Sequence, residues 1–186
     1  MSRRPGFPGA TAERVVRMKR ILGTIDSISE HVGSWGRWFC VALIAVGVFE
    51  VTMRYVFDSP TVWAYETCSM LGGAIYALGW AFAHLHRSHI RVDVFFSRLS
   101  ARGQAIADSI LALVFFFPLI GLMTERAIFW AWRAYSRGLV MMESYWYAPQ
   151  WPYRVVLAIG ICLLLLQGIA KFVRDAHFAV KGTTID

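Results

Sequence analysis

Four stretches of this chain are long and apolar, and shorter segments rich in charge separate them. The first runs from Trp35 to Phe57, with a core from Phe39 to Val51 broken only by small residues and by Glu50. The second spans about Val62 to Ala83, the third about Gln104 to Trp130, and the fourth about Trp151 to Val173. As helices, each is long enough to cross a hydrocarbon core ~30 Å thick. Only Asp58 to Thr61 link the first two, so these form an antiparallel hairpin. Pro60 and Thr61 suit a helix start, and Pro152 fits the first turn of the fourth span. Pro118, in the middle of the third, should kink it. The pattern predicts an all-α membrane protein with four transmembrane helices.

The polar segments carry a weaker pattern. Met1 to Ala10, with Pro5, Gly6, Pro8 and Gly9, reads as a tail, and no apolar run before Trp35 resembles a cleavable signal. From Thr11 to Val32, Val15, Met18, Ile21, Leu22, Ile25, Ile28 and Val32 share one helical face, with Arg14, Arg17, Lys19 and Arg20 largely off it. That predicts a basic amphipathic helix, lying in the headgroup region or packed on a soluble partner. Between the second and third spans, Ile90, Val92, Val94, Phe95, Phe96 and Leu99 are interleaved with Arg91, Asp93, Arg98 and Arg102. This stretch is too short and too charged to cross, and reads as an interfacial connector. The chain therefore divides into an N-terminal tail and interfacial helix (1–33), a four-helix membrane domain (34–174) and a C-terminal tail (175–186).

Composition and charge fix the setting. Of 186 residues, 57% are hydrophobic and only 17% charged, where a soluble domain is about a quarter charged. A net charge of +7 could suit nucleic acid. The basic residues flank apolar spans, however, as they do at a bilayer face with anionic headgroups. The N-terminal segment, the connector and the C-terminal tail share one side and hold 14 of the 19 Lys and Arg. Positive residues favour the cytoplasm, so both termini are expected inside. Cys40, Cys68 and Cys162 lie within the spans without CxxC spacing and read as small hydrophobes.

Candidate chemistry is sparse. Glu50 and Arg54 are four residues apart on one helical face, and Glu66 enters from across the hairpin at similar depth. Ionisable groups at membrane depth face protein or water and pair with one another. A Glu50–Arg54–Glu66 cluster would fix the hairpin or meet a partner helix. The alternatives are that each group reaches water at the interface, or that they hold a transported ion or substrate. His84, His86 and His89 could suggest metal or haem, but His31 and His177, the other two histidines, lie outside the spans. We therefore expect no metal or cofactor, and read these histidines as capping the second span. No GxSxG, HExxH, P-loop or GxGxxG occurs in its required setting, so an enzyme is not expected. The aromatic loop with Tyr145, Trp146 and Trp151 suits the water–lipid boundary.

Taken together, RYVF at Arg54 to Phe57, WxxE at Trp63 to Glu66, GWAFAHLHRSHIRVD at Gly79 to Asp93 and APQWPYR at Ala148 to Arg154 resemble the small membrane subunit of tripartite ATP-independent periplasmic (TRAP) transporters, the DctQ-like proteins. The resemblance covers roughly residues 33–173. It departs at Tyr65-Glu66, where many relatives carry two consecutive acids. It implies a bacterial inner-membrane subunit that packs against a much larger transport subunit. A periplasmic solute-binding protein would deliver an organic acid or similar solute, and an ion gradient, usually sodium, would drive uptake. It also implies that Trp63, Glu66, Gly72, Gly73 and Ala77 are interface candidates, that His84, His89 and Asp93 mark the cytoplasmic exit of the second span, and that Tyr145, Trp146 and Trp151 could meet the binding protein. A haem-bearing electron-transfer subunit and a standalone small transporter are the alternatives.

Overall fold

The computed structural model describes residues 10–86, 100–143 and 145–182. The interfacial connector, His89 and Asp93 lie outside them. Within them the structure is helical apart from turns and one antiparallel bridge, Val140 to Pro149. Helix α1 is Ala10–Tyr55 and α2 is Ala64–Leu85. The third span comprises α3 (Ala101–Leu111), a π-helical turn (Ala112–Phe116) and α4 (Phe117–Ser136), and α5 is Trp151–Lys181. Four helices, one from each predicted span, are long and apolar enough to cross a membrane.

The structure differs from the sequence reading in α1. The expected interfacial helix and first span form one continuous helix of 46 residues, ~69 Å long at about 1.5 Å per residue. The apolar face anticipated for lipid or a soluble partner is partly covered by this chain's own last helix. Leu22 is buried against Ala170, with Met18, Ile25 and Val173 packed around them. Gly33, at the expected break, is a point of close approach instead. A Cβ there would collide with the Phe82 ring of α2, its Cγ only 2.6 Å away. Contact with α2 thus offsets the helix penalty of about 1 kcal/mol that a glycine carries.

Pro118 is accommodated by the π turn just before it. Its ring and missing N–H would disturb a regular α-ladder on the preceding turn, and the wider i→i+5 pattern relieves this: the Phe117 N–H donates to the Ala112 carbonyl. The same turn aims Phe116 inward. Its ring fills the space a Gly168 side chain would take on α5 and stacks on His84 of α2, with centroids 5.5 Å apart.

Helix α5 is the hub. Small residues let α2 settle on it, since a Cβ on Gly160 would stand 2.6 Å from the Ala77 carbonyl carbon and one on Gly73 would strike Tyr153. Ile161 and Leu164 pack with Ile120 of α4. Both described ends of the chain lie at one end of the bundle, here the terminal end; the α1–α2 and α4–α5 loops form the hairpin end. At the terminal end Ser100 caps α3 by accepting from the Gly103 N–H at 3.2 Å. Gly182, at φ 69°, closes α5.

Candidate functional site

At the hairpin end, Glu50 and Arg54 form the anticipated i,i+4 ion pair at 2.9 Å. The other carboxylate oxygen accepts from the Thr61 N–H at 3.2 Å and from the Thr61 hydroxyl. The pair therefore staples the tight turn, in which Asp58 adopts a left-handed φ of 47°, and Phe49 stacks on Trp63 at 5.7 Å behind it. Glu66 does not join this group. It is 1% exposed, and both its oxygens lack a hydrogen-bond partner among the described residues.

The loop between α4 and α5 is folded by its own hydrogen bonds. Met141 N–H donates to the Ala148 carbonyl at 2.8 Å, and Gln150 N–H to the Leu139 carbonyl at 2.9 Å. The Gln150 amide donates to the Val140 carbonyl and accepts from Arg154 through its oxygen. Arg154 and Arg133 both lie over the Trp130 ring, at 5.2 and 5.0 Å from its centroid. Trp151 meets Tyr135 edge-on at 5.9 Å, and Tyr145 is the most open of the three predicted docking residues, 86% exposed.

Gly73 and Ala77, expected at a subunit interface, face α5 inside the chain, whereas a Cβ on Gly72 would meet nothing within 4 Å. His84 sits in the last turn of α2 with its ring on Phe116. His86, beside it, reaches Glu30 of α1 at 2.9 Å. Among the described residues no three His, Cys, Asp or Glu side chains group as metal ligands would.

Sequence reasoning missed the strongest polar constellation, at the terminal end. Ser29 donates to the Gln167 side-chain oxygen at 3.2 Å, and the Gln167 amide donates to Asp26 at 2.9 Å. Arg174 closes the network by pairing with Asp26. Beside it Lys171 bridges Asp108 of α3 at 3.1 Å and Asp175 at 2.9 Å. One signal was available: Gln167 interrupts the run from Leu163 to Ala170, and a polar side chain at such a position faces protein. Its partners, Asp26 and Ser29, lie off the apolar face of a segment that reads in sequence as a separate helix.

The profile of the DctQ component of tripartite ATP-independent periplasmic transporters matches residues 43–178, well over half of the chain. The chain belongs to the DctQ family. No curated protein matches it. The matched segment takes in the membrane-spanning part of α1 from Leu43 onward, all of α2 to α4, and α5 as far as Phe178. It begins beyond the Asp26–Ser29 side of the polar clamp but contains Gln167 and Arg174. This DctQ protein is thus a multi-pass membrane component of a transporter.

Proposed function

We propose that this chain is the small transmembrane subunit of a TRAP-type secondary transporter, packing against and stabilising a large subunit that moves the solute. The solute is an organic acid or similar compound handed over by a periplasmic binding protein, and its uptake is driven by an ion gradient, usually of sodium. The observation that carries this reading is what the polar groups inside the bundle are used for. The buried polar side chains among the described residues are Ser29, Glu66 and Gln167, and two of these bond to each other across α1 and α5. Membrane polar groups spent on holding helices together suit a scaffold.

The grooves point the same way. One of about 510 Å³ between α4 and α5 is lined by aliphatic and aromatic residues and Cys162, and one of about 460 Å³ beside Trp80 and Phe116 by apolar residues with His84 as the one polar group. A third, of about 390 Å³, has Asp108, Lys171 and Asp175 at its rim, and Lys171 already pairs with both acids. Fourteen of the 19 basic residues flank the terminal end or the connector. This supports both termini in the cytoplasm at an inner membrane, with the basic residues toward anionic headgroups. The loop carrying Tyr145, Trp146 and Trp151 then faces the periplasm, where a binding protein arrives.

The test is co-purification followed by reconstitution. The tagged chain, expressed with the large membrane protein and extracted in mild detergent, should hold it at a fixed ratio. Uptake in vesicles should require both chains and the binding protein. Solute movement by this chain alone would overturn the reading.

A further inference from the structure

Of the three grooves described above, the one of about 390 Å³ alone has carboxylates and a lysine in its wall. Its polar and apolar parts are sorted by depth. Trp151 and Tyr135 meet at the hairpin end, where aromatic side chains mark the water–lipid boundary. Lys171 stands ~30 Å further along α5, and His84 ~30 Å along α2 from Ala64. Both therefore lie at the opposite boundary of a core ~30 Å thick. Asp108 meets Lys171 at 3.1 Å, which puts it at the same level, and Asp175 follows one turn beyond. From this rim Leu111, Phe115 and Leu119 carry the groove ~16 Å from Asp108 toward the middle of the bilayer, about the depth of one leaflet. These three side chains are exposed, so the groove opens outward. Its wall there is built on the π turn, which supplies Ala112, Phe115 and Phe116.

An apolar furrow with a polar mouth at the boundary has the shape of a phospholipid, with the head at the rim and an acyl chain in the furrow. Charge decides which head it suits. Basic residues outnumber acidic ones 19 to 12 in the chain, and the terminal end is its basic side. The rim is the reverse, with two carboxylates on the single ammonium of Lys171. All three side chains are only partly exposed, at 28% for Lys171, 17% for Asp108 and 21% for Asp175. An anionic head would lie against both carboxylates, an arrangement that costs binding energy. A head with an ammonium beside its phosphate gives each group its complement. The ammonium donates to Asp108 and Asp175, and the phosphate accepts from Lys171.

We propose that this groove binds a zwitterionic phospholipid with a primary-ammonium head, of the ethanolamine type, in the leaflet at the terminal end. Bound there, the lipid ties α3 to α5 beside the Asp108–Lys171 pair that already joins them. The site takes no part in moving solute and stands apart from the proposed function.

The experiment uses the full-length chain in mild detergent, mixed with phosphatidylethanolamine, phosphatidylcholine or phosphatidylglycerol of identical acyl chains. Lipid kept on the intact protein is counted by native mass spectrometry. One phosphatidylethanolamine should be held at least fivefold more tightly than phosphatidylglycerol, and about threefold more tightly than phosphatidylcholine, whose quaternary head cannot donate a hydrogen bond. Asp175→Asn leaves the Asp108–Lys171 pair in place and should reduce both preferences below twofold. Ala112→Phe fills the furrow without touching the rim, and should lower retention of all three lipids at least fivefold. Equal retention of the three by the unmodified chain (an annular shell only), a preference for phosphatidylglycerol, or no retained lipid overturns the inference. So does unchanged binding in both variants. Should Asp175→Asn lower the melting temperature, the Ala112→Phe result decides. Loss of the lipid when the large subunit is bound assigns the groove to that subunit instead and also overturns the inference.

Discussion

Helices α1 and α5 are the two longest in the molecule, and they are built for opposite tasks. In the most apolar eighteen residues of α1 none is buried, whereas 44% of the corresponding stretch of α5 is. Helix α5 touches every other helix and is tapered where they cross it, at Gly160 and Gly168. Helix α1 carries Trp38, Val41, Ile44 and Val48 outward and is held mainly by its flank on α2 and by the polar clamp near its N-terminal half. Hydropathy alone makes the two look alike. What separates them is where the small residues and the lone glutamine fall, because in lipid the association of helices rests on close packing and hydrogen bonds rather than on apolarity.

That contrast can be broken most forcefully at Gly160. Gly160→Leu drives a side chain into the Ala77 backbone and should cost about 3 kcal/mol, seen as a large fall in the melting temperature of the detergent-solubilised chain. Gly47→Leu on α1, where a Cβ meets nothing within 4 Å, should leave it unchanged. Equal effects at the two sites would end the distinction between hub and strut.

Next in size, Glu66→Met should raise the stability of the isolated chain by about 1 to 3 kcal/mol, since it replaces buried carboxyl oxygens that lack a described partner with an apolar group. A loss of stability would reveal a partner among the residues not described. Gln167→Leu should cost about 1 kcal/mol, near the usual value for an interhelical polar contact in a bilayer. It should also speed hydrogen exchange in α1 around Asp26 more than around Glu50. The smallest effect belongs to Glu50→Gln, a few tenths of a kcal/mol by the same measurement, because Arg54 is more than half exposed and the Thr61 bonds partly survive.

The four spans were legible because a run of about twenty apolar residues has few other solutions, and their observed bounds differ from the expected ones mainly by extension past the bilayer. The boundary expected at residue 33 falls inside α1, and Gly33 does not betray this because a glycine that ends a helix in water and one that admits a neighbour's ring look identical in sequence. The Glu50–Arg54 pair was legible because i,i+4 spacing is local. Glu66 was misplaced because its isolation depends on the rotation of α2 against α5, which no spacing rule supplies. The Asp26–Ser29–Gln167–Arg174 clamp joins residues about 140 positions apart, and only the continuity of α1 brings them together.

The π turn at Ala112–Phe116 acts like a frameshift in the helix code. A regular α-helix assigns faces by advancing about 100° per residue, and one wider turn accommodates roughly one additional residue. A helical wheel drawn unbroken from Ala101 to Ser136 therefore places everything after Phe116 about one residue's rotation away from its true direction, trading lipid-facing for bundle-facing positions. Comparison of this span across DctQ relatives needs a one-residue gap allowed at that turn. Deleting a single residue within it would re-aim the whole of α4, from Pro118 to Arg133 over Trp130, without altering one of its side chains.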